Sequence, residues 1–195
     1  STISFFSYKV NPASGSYTNP DQILEWRNTK LIDSAKAKNT RVLLTISSHG
    51  RNNNDIFLED ENKWITLIDS VSTLINDRNA DGVDINFENL PYFKRTEFNR
   101  IIKEMRENLD YKLNKKAFIS VTLPALNGRE IYDVREIQKH VDLMVIMGYD
   151  YNNDIVYQEQ GAVAPLQSSE SNNLSLKSTL DFYINKGLNV SKTIL

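Results

Sequence analysis

The sequence predicts an α/β fold, built as part of a (β/α)8 barrel. Three observations carry this expectation. Apolar, β-branched runs alternate with segments of helical spacing, the pattern of parallel strands joined by right-handed crossovers. Polar residues gather where several of those strands end: Ser47, Ser48 and His49; Asn86 and Glu88; Tyr149 and Asp150. Active sites of barrel enzymes are assembled on that rim. The first strand is not followed by a glycine-rich phosphate loop, which weakens the competing open, doubly wound sheet with a dinucleotide site.

Each element has its own signal. Ile3–Val10 reads as a strand and Asn11–Pro20 as a loop rich in Pro, Gly, Ser and Asn. Asp21–Lys38 has helical spacing through Ile23, Leu24, Leu31, Ile32 and Ala35, with Asp21 placed to cap it. Arg41–Ser48 is a continuous strand-like run, and His49–Asp60 reads as a polar loop. Lys63–Asp77 is an amphipathic helix with Trp64, Leu67, Ile68, Val71, Leu74 and Ile75 on one stripe. Gly82–Glu88 is a strand, and Thr96–Leu113 a second amphipathic helix. Ala117–Leu123 is a strand stopped by Pro124, Val134–Lys139 a short helix, and Val141–Tyr149 a strand. Leu174–Lys186 is a helix before Gly187, and Thr193–Leu195 begins a sixth strand.

Composition narrows the function class. Net charge is -2 with acids and bases interspersed, so a nucleic-acid or polybasic membrane surface is not expected. No apolar run is long enough to span a bilayer. There is no cysteine, which excludes disulfides and thiolate metal sites, and two distant histidines make a zinc site improbable.

The most informative stretch is Asp81-Gly-Val-Asp-Ile-Asn-Phe-Glu88. Side chains alternate across a strand, so Asp84, Asn86 and Glu88 share one face while Val83, Ile85 and Phe87 share the other. Burying an acidic face is costly unless it lines a site. Asp81, with Gly82, is expected to fix the turn into the strand.

At these residues the chain resembles glycoside hydrolase family 18, the chitinases and endo-β-N-acetylglucosaminidases. Asp81, Asp84 and Glu88 fall on acidic positions of the family's Asp-x-x-Asp-x-Asp-x-Glu strand, and Asn86 replaces its third Asp. Thr45-Ile-Ser-Ser-His-Gly50 resembles the Ser-x-Gly-Gly strand end, with Ser47 and Gly50 matching. Met147-Gly-Tyr-Asp150 matches the Met-x-Tyr-Asp strand. Three motifs in order make the resemblance specific, and it covers residues 1–195 as one truncated catalytic domain. It implies about strands 2 to 7 of the barrel, with the first and eighth absent.

The resemblance also implies a chemistry. Glu88 would be the general acid and base, with the substrate's own acetamido oxygen as nucleophile. Asn86 would orient the acetamide, Tyr149 would align its oxygen, and Asp84 would support position 86 from inside the barrel. Asp150, Met147, Ser47, Tyr8 and Tyr151 are the carried-over sugar contacts, with Asn152 and Asn153 as further rim candidates. The implied substrate is a glycan containing N-acetylglucosamine. No metal or organic cofactor is implied, and polymeric substrates imply a secreted or cell-surface location.

Competing readings stand beside these. Glu88 could be a salt-bridged strand end, Asp84 a hydrogen-bonded support, and His49 an exposed loop residue or a substrate contact. Because Asn86 cannot supply negative charge, a sugar-binding protein on the same scaffold is the alternative to a hydrolase. A six-stranded piece leaves two open edges, which are expected to be covered by self-association or to leave an open partial barrel.

Overall fold

A computed structural model describes residues 1–151, 162–168 and 173–195. Six strands form one parallel sheet: β1 (Thr2–Lys9), β2 (Arg41–His49), β3 (Gly82–Glu88), β4 (Phe118–Pro124), β5 (Leu143–Met147) and β6 (Thr193–Ile194). Their spatial order is β1-β2-β3-β4-β5-β6. The order never reverses, so there is no switch point of the kind a doubly wound sheet uses. It is the order of consecutive strands around a barrel. Among the described residues β1 and β6 each pair on one side only, and the barrel is open.

The helices are α1 (Pro20–Asn28), α2 (Lys30–Ala37), α3 (Arg51–Leu58), α4 (Glu61–Arg78), α5 (Arg95–Lys112), α6 (Val134–Ile137) and α7 (Leu176–Asn185). They cover the outer face of the sheet. Val83, Ile85 and Phe87 point into that layer and are buried. Beneath the end of β3, Phe57, Phe87, Phe98 and Tyr132 form a chain of ring contacts with centroids 5.6–5.7 Å apart. Fully burying each such side chain stabilises by roughly 1.5–3 kcal/mol, and the chain of rings fixes the strand that carries the acidic motif.

Four expectations change. The helix expected over Asp21–Lys38 is two, because Thr29 is extended (φ -66, ψ 135) and its side chain caps α2 through Leu31 N–H. Arg78 satisfies the carbonyls exposed by that break, donating to Trp26 O and Thr29 O at 2.7 and 3.0 Å. Asp21 does not cap α1: Asn19 precedes Pro20 at the helix start, and the Asn19 side chain serves Lys9 N and Ser7 O instead. The polar loop expected over His49–Asp60 is largely α3, whose buried Asn54, Phe57 and Leu58 supply the packing that its composition does not advertise. The strand expected over Val141–Tyr149 is confined to Leu143–Met147.

Asp81 behaves as expected, accepting Val42 N–H at 2.8 Å just before β3 begins. Gly82 is required by close approach: a Cβ there would lie 1.9 Å from the Phe118 carbonyl oxygen on β4.

Candidate active site

Sheet register stacks the inner-face side chains in rows. Thr45, Asp84, Ser120 and Leu143 form one row, Ser47 and Asn86 the next, and His49 and Glu88 the row at the rim. The rows ascend β3 from a buried carboxyl to an accessible one. Asp84 is 8% exposed, whereas the Glu88 side chain is 32% exposed.

Asp84 accepts from Ser120 Oγ at 2.6 Å and from Thr45 Oγ1 at 3.3 Å. Burial pushes its carboxyl above the ordinary range, and these hydroxyls with Thr122 only partly offset that. At the rim, Asn86 Nδ2 donates to Glu88 Oε1 at 3.2 Å, and His49 Nδ1 lies 3.4 Å from the same oxygen. Asn86 Oδ1 is inaccessible to solvent and has no hydrogen-bond partner among the described residues.

The backbone under Glu88 is anchored from both sides. Tyr132 OH donates to Phe87 O at 2.6 Å. Asn54 Nδ2 donates to Glu88 O at 2.6 Å, and Ser48 Oγ donates to Asn54 Oδ1 at 2.6 Å. Burial drives the Tyr132 phenol well above its usual range, so it stays a neutral donor. Glu88 then opens onto a cavity of about 610 Å³, together with Met147, Tyr92, Tyr132, Arg51 and Arg129.

The remaining sequence candidates lie elsewhere. Tyr149 and Asp150 sit exposed beyond the end of β5, Asp150 in the left-handed region at φ 61. Ser47 is buried and shares a 2.9 Å hydrogen bond with Ser7. Tyr8 is fully buried, its hydroxyl donating to Gly15 O at 2.9 Å, and burial pushes that phenol up to about 12. The cause is an irregularity in register between Phe6 and Tyr8, which pairs Tyr8 with Ile46 and turns it toward the helices. Tyr151 is 5% exposed and hydrogen-bonds Thr179 on α7 at 2.7 Å. In the described conformation the hydroxyls of Ser47, Tyr8 and Tyr151 therefore serve protein partners rather than the cavity. Asn152 and Asn153 lie outside the described residues.

Sequence reasoning did not identify Tyr92, Arg129 or Tyr132. All three come from segments that lack a periodic pattern, and the fold alone brings them to β3. Among the described residues no cluster of His, Asp and Glu could hold a metal ion, and no helix is long and apolar enough to cross a membrane.

The family model described as "Glycosyl hydrolases family 18" matches residues 2–195. "Probable chitinase 2" of Drosophila melanogaster is 30% identical over 135 residues, 66% of this chain and 27% of that protein. The Ostrinia furnacalis group II chitinase catalytic domain 2 superposes with TM-score 0.84 at 18% identity, over 99% of this chain and 55% of that one. A point mutant of a Nicotiana tobaccum class V chitinase, in complex with NAG4, superposes with TM-score 0.83 at 18% identity, over 100% of this chain and 59% of that one. The chain thus spans little more than half of these solved structures and about a quarter of the fly relative. With a family match over nearly its whole length and the fold those structures share, the chain belongs to glycosyl hydrolases family 18.

Proposed function

We propose that the protein is a retaining glycosidase that cleaves β-linked N-acetylglucosamine glycans, chitin or a relative, by substrate-assisted catalysis. The observation that carries this is the Asn86–Glu88 pair at the mouth of the cavity. Glu88 is accessible, aimed by two backbone anchors, and set on the rim where barrel enzymes work. The family match, the fly relative's name and the NAG4 bound to the tobacco enzyme support the substrate class.

The steps follow from the donor set. Glu88 gives its proton to the leaving glycosidic oxygen while the substrate's acetamido oxygen attacks C1. The ionised Glu88 then takes a proton from the water that opens the oxazolinium, and the anomeric configuration is retained. Asn86 holds the acetamide. Its unpartnered Oδ1 accepts the acetamide N–H once the amide turns about χ2, relieving an unsatisfied acceptor that costs about 1–3 kcal/mol. Tyr149, exposed at the end of β5, donates to the acetamido oxygen, and Asp150 contacts the sugar. Asp84 supports position 86 from the buried row below.

Comparing an N-acetylated chitin tetramer with its deacetylated counterpart tests this directly. Turnover of the first with retained configuration, and none of the second, is expected. Equal turnover of both would overturn the mechanism, because the deacetylated sugar has no acetamido nucleophile.

A sugar-binding protein without turnover is the second reading. Asn86 favours it, because a neutral amide offers no charge to a cationic intermediate.

A further inference from the structure

The cavity beside Glu88 carries more positive charge than its chemistry requires. Arg51 follows β2 and Arg129 follows β4, the strands flanking β3, and both line the cavity. Glu88 is the only carboxylate in that lining among the described residues. Neither arginine makes an ion pair or side-chain hydrogen bond among the described residues.

Aromatic rings place them instead. The Tyr92–Lys94 turn after β3 presents Tyr92 and Phe93 edge to face, with centroids 5.5 Å apart. Arg129 lies 5.1 Å from the Tyr92 centroid and Arg51 lies 5.9 Å from that of Phe93. A guanidinium resting on a ring keeps its in-plane fork of N–H donors free, and that fork matches a carboxylate.

Neither position is one that helix electrostatics or backbone preference favours for an arginine. Arg51 opens α3, where the positive end of the helix disfavours a cation. Arg129 sits at φ 58, a backbone region that side chains other than glycine seldom adopt. Arginines that gain only ring contacts and no anionic partner among the described residues, yet converge on a cavity with a half-exposed tyrosine beside the catalytic candidate, fit a ligand that is itself anionic.

We propose that this cavity receives a sugar bearing a carboxylate, held by Arg51 and Arg129, so that the substrate is an acidic N-acetylglucosamine-containing glycan. The proposal rests on the glycosidase reading for the identity of the neighbouring sugar, but its test does not depend on turnover. Binding is measured on the full-length protein carrying Glu88→Gln, by calorimetry. The probes are an oligosaccharide of alternating N-acetylglucosamine and N-acetylmuramic acid, its carboxyl-amidated form, and a hyaluronan oligosaccharide, with a neutral chitin tetramer as reference. The acidic form of one glycan is expected to bind about tenfold or more tightly than a neutral counterpart, as a charge-assisted pair allows. That preference should shrink toward one in the Arg51→Gln/Arg129→Gln variant and weaken with added salt. A preference for the muramic glycan locates the carboxylate on an ether-linked lactate; one for hyaluronan locates it on a uronic acid. Equal binding of acidic and neutral forms overturns the proposal, as does a preference that survives loss of both arginines. Charge preference without turnover of any glycan by the unmutated protein sinks the glycosidase reading and leaves this one standing.

Discussion

Asn54 holds the main chain of Glu88: its amide donates to the Glu88 carbonyl oxygen at 2.6 Å while its own oxygen accepts from Ser48. Asn54 is completely buried on α3, and its partners are the last residue of β3 and the last but one of β2. A short helix thus ties the acid to the neighbouring strand through one side chain.

Asn54→Asp keeps the acceptor for Ser48 and loses the donor to Glu88. Among the described residues the Glu88 carbonyl keeps only the longer bond from Gly50 N–H (3.3 Å) and would face a buried carboxyl, which should lower stability by about 1–3 kcal/mol. Turnover should fall by roughly 10²-fold at most, mainly in kcat, because the acid is misplaced rather than removed. Urea unfolding alongside steady-state kinetics checks both. An unchanged kcat in a folded variant would mean that Asn54 serves only the fold.

Asp84 gives a pH signature. Burial raises its carboxyl pKa above the ordinary value of 3.8. The folded state therefore holds this proton more tightly than the unfolded chain does. Its stabilising contribution is complete below 3.8 and is lost as pH rises through the folded value. In Asp84→Asn the group stays neutral, so the wild type should lose ground to this variant as pH rises. Unfolding free energies of both proteins across a pH series measure the difference. A wild-type advantage that grows with pH would contradict the assignment.

Asn86→Asp restores a charge at the acetamide position. If the reaction passes through a cationic oxazolinium, kcat should rise by up to roughly 10²-fold, the scale of one electrostatic stabiliser. A drop in kcat with substrate binding intact would show that the neutral amide is needed beside Glu88.

Gly82→Ala tests the sheet. The new Cβ would meet the Phe118 carbonyl oxygen at 1.9 Å, so β3 and β4 must separate. The expected loss is about 3 kcal/mol or more, since backbone cannot yield as a side chain does. A thermal midpoint close to that of the wild type would refute the close approach.

The strands are legible in the sequence because β-branched runs and period-two alternation report burial directly. Alternation alone therefore puts Asp84, Asn86 and Glu88 on one face of β3. Helix α3 is not legible, because Asn52–Asn54 read as loop and the packing that supports the helix comes from the buried Asn54, Phe57 and Leu58. Tyr8 departs from its expected place through the register irregularity after Phe6, which no alternation pattern encodes. The contact of His49 with Glu88 arises from pairing between strands 39 residues apart in sequence, a register that motifs alone do not give. Arg51, Tyr92 and Arg129 converge only because the loops of adjacent strands open onto one cavity.

The most direct measurement is turnover of a chitin tetramer by the full-length protein, with and without Glu88→Gln, alongside binding of the same sugar to both. The account predicts turnover by the unmutated protein and a loss of roughly 10²–10⁴ in kcat on mutation, with binding retained. Equal binding by both proteins and no turnover by either would contradict it and identify a sugar-binding protein on a glycosidase scaffold.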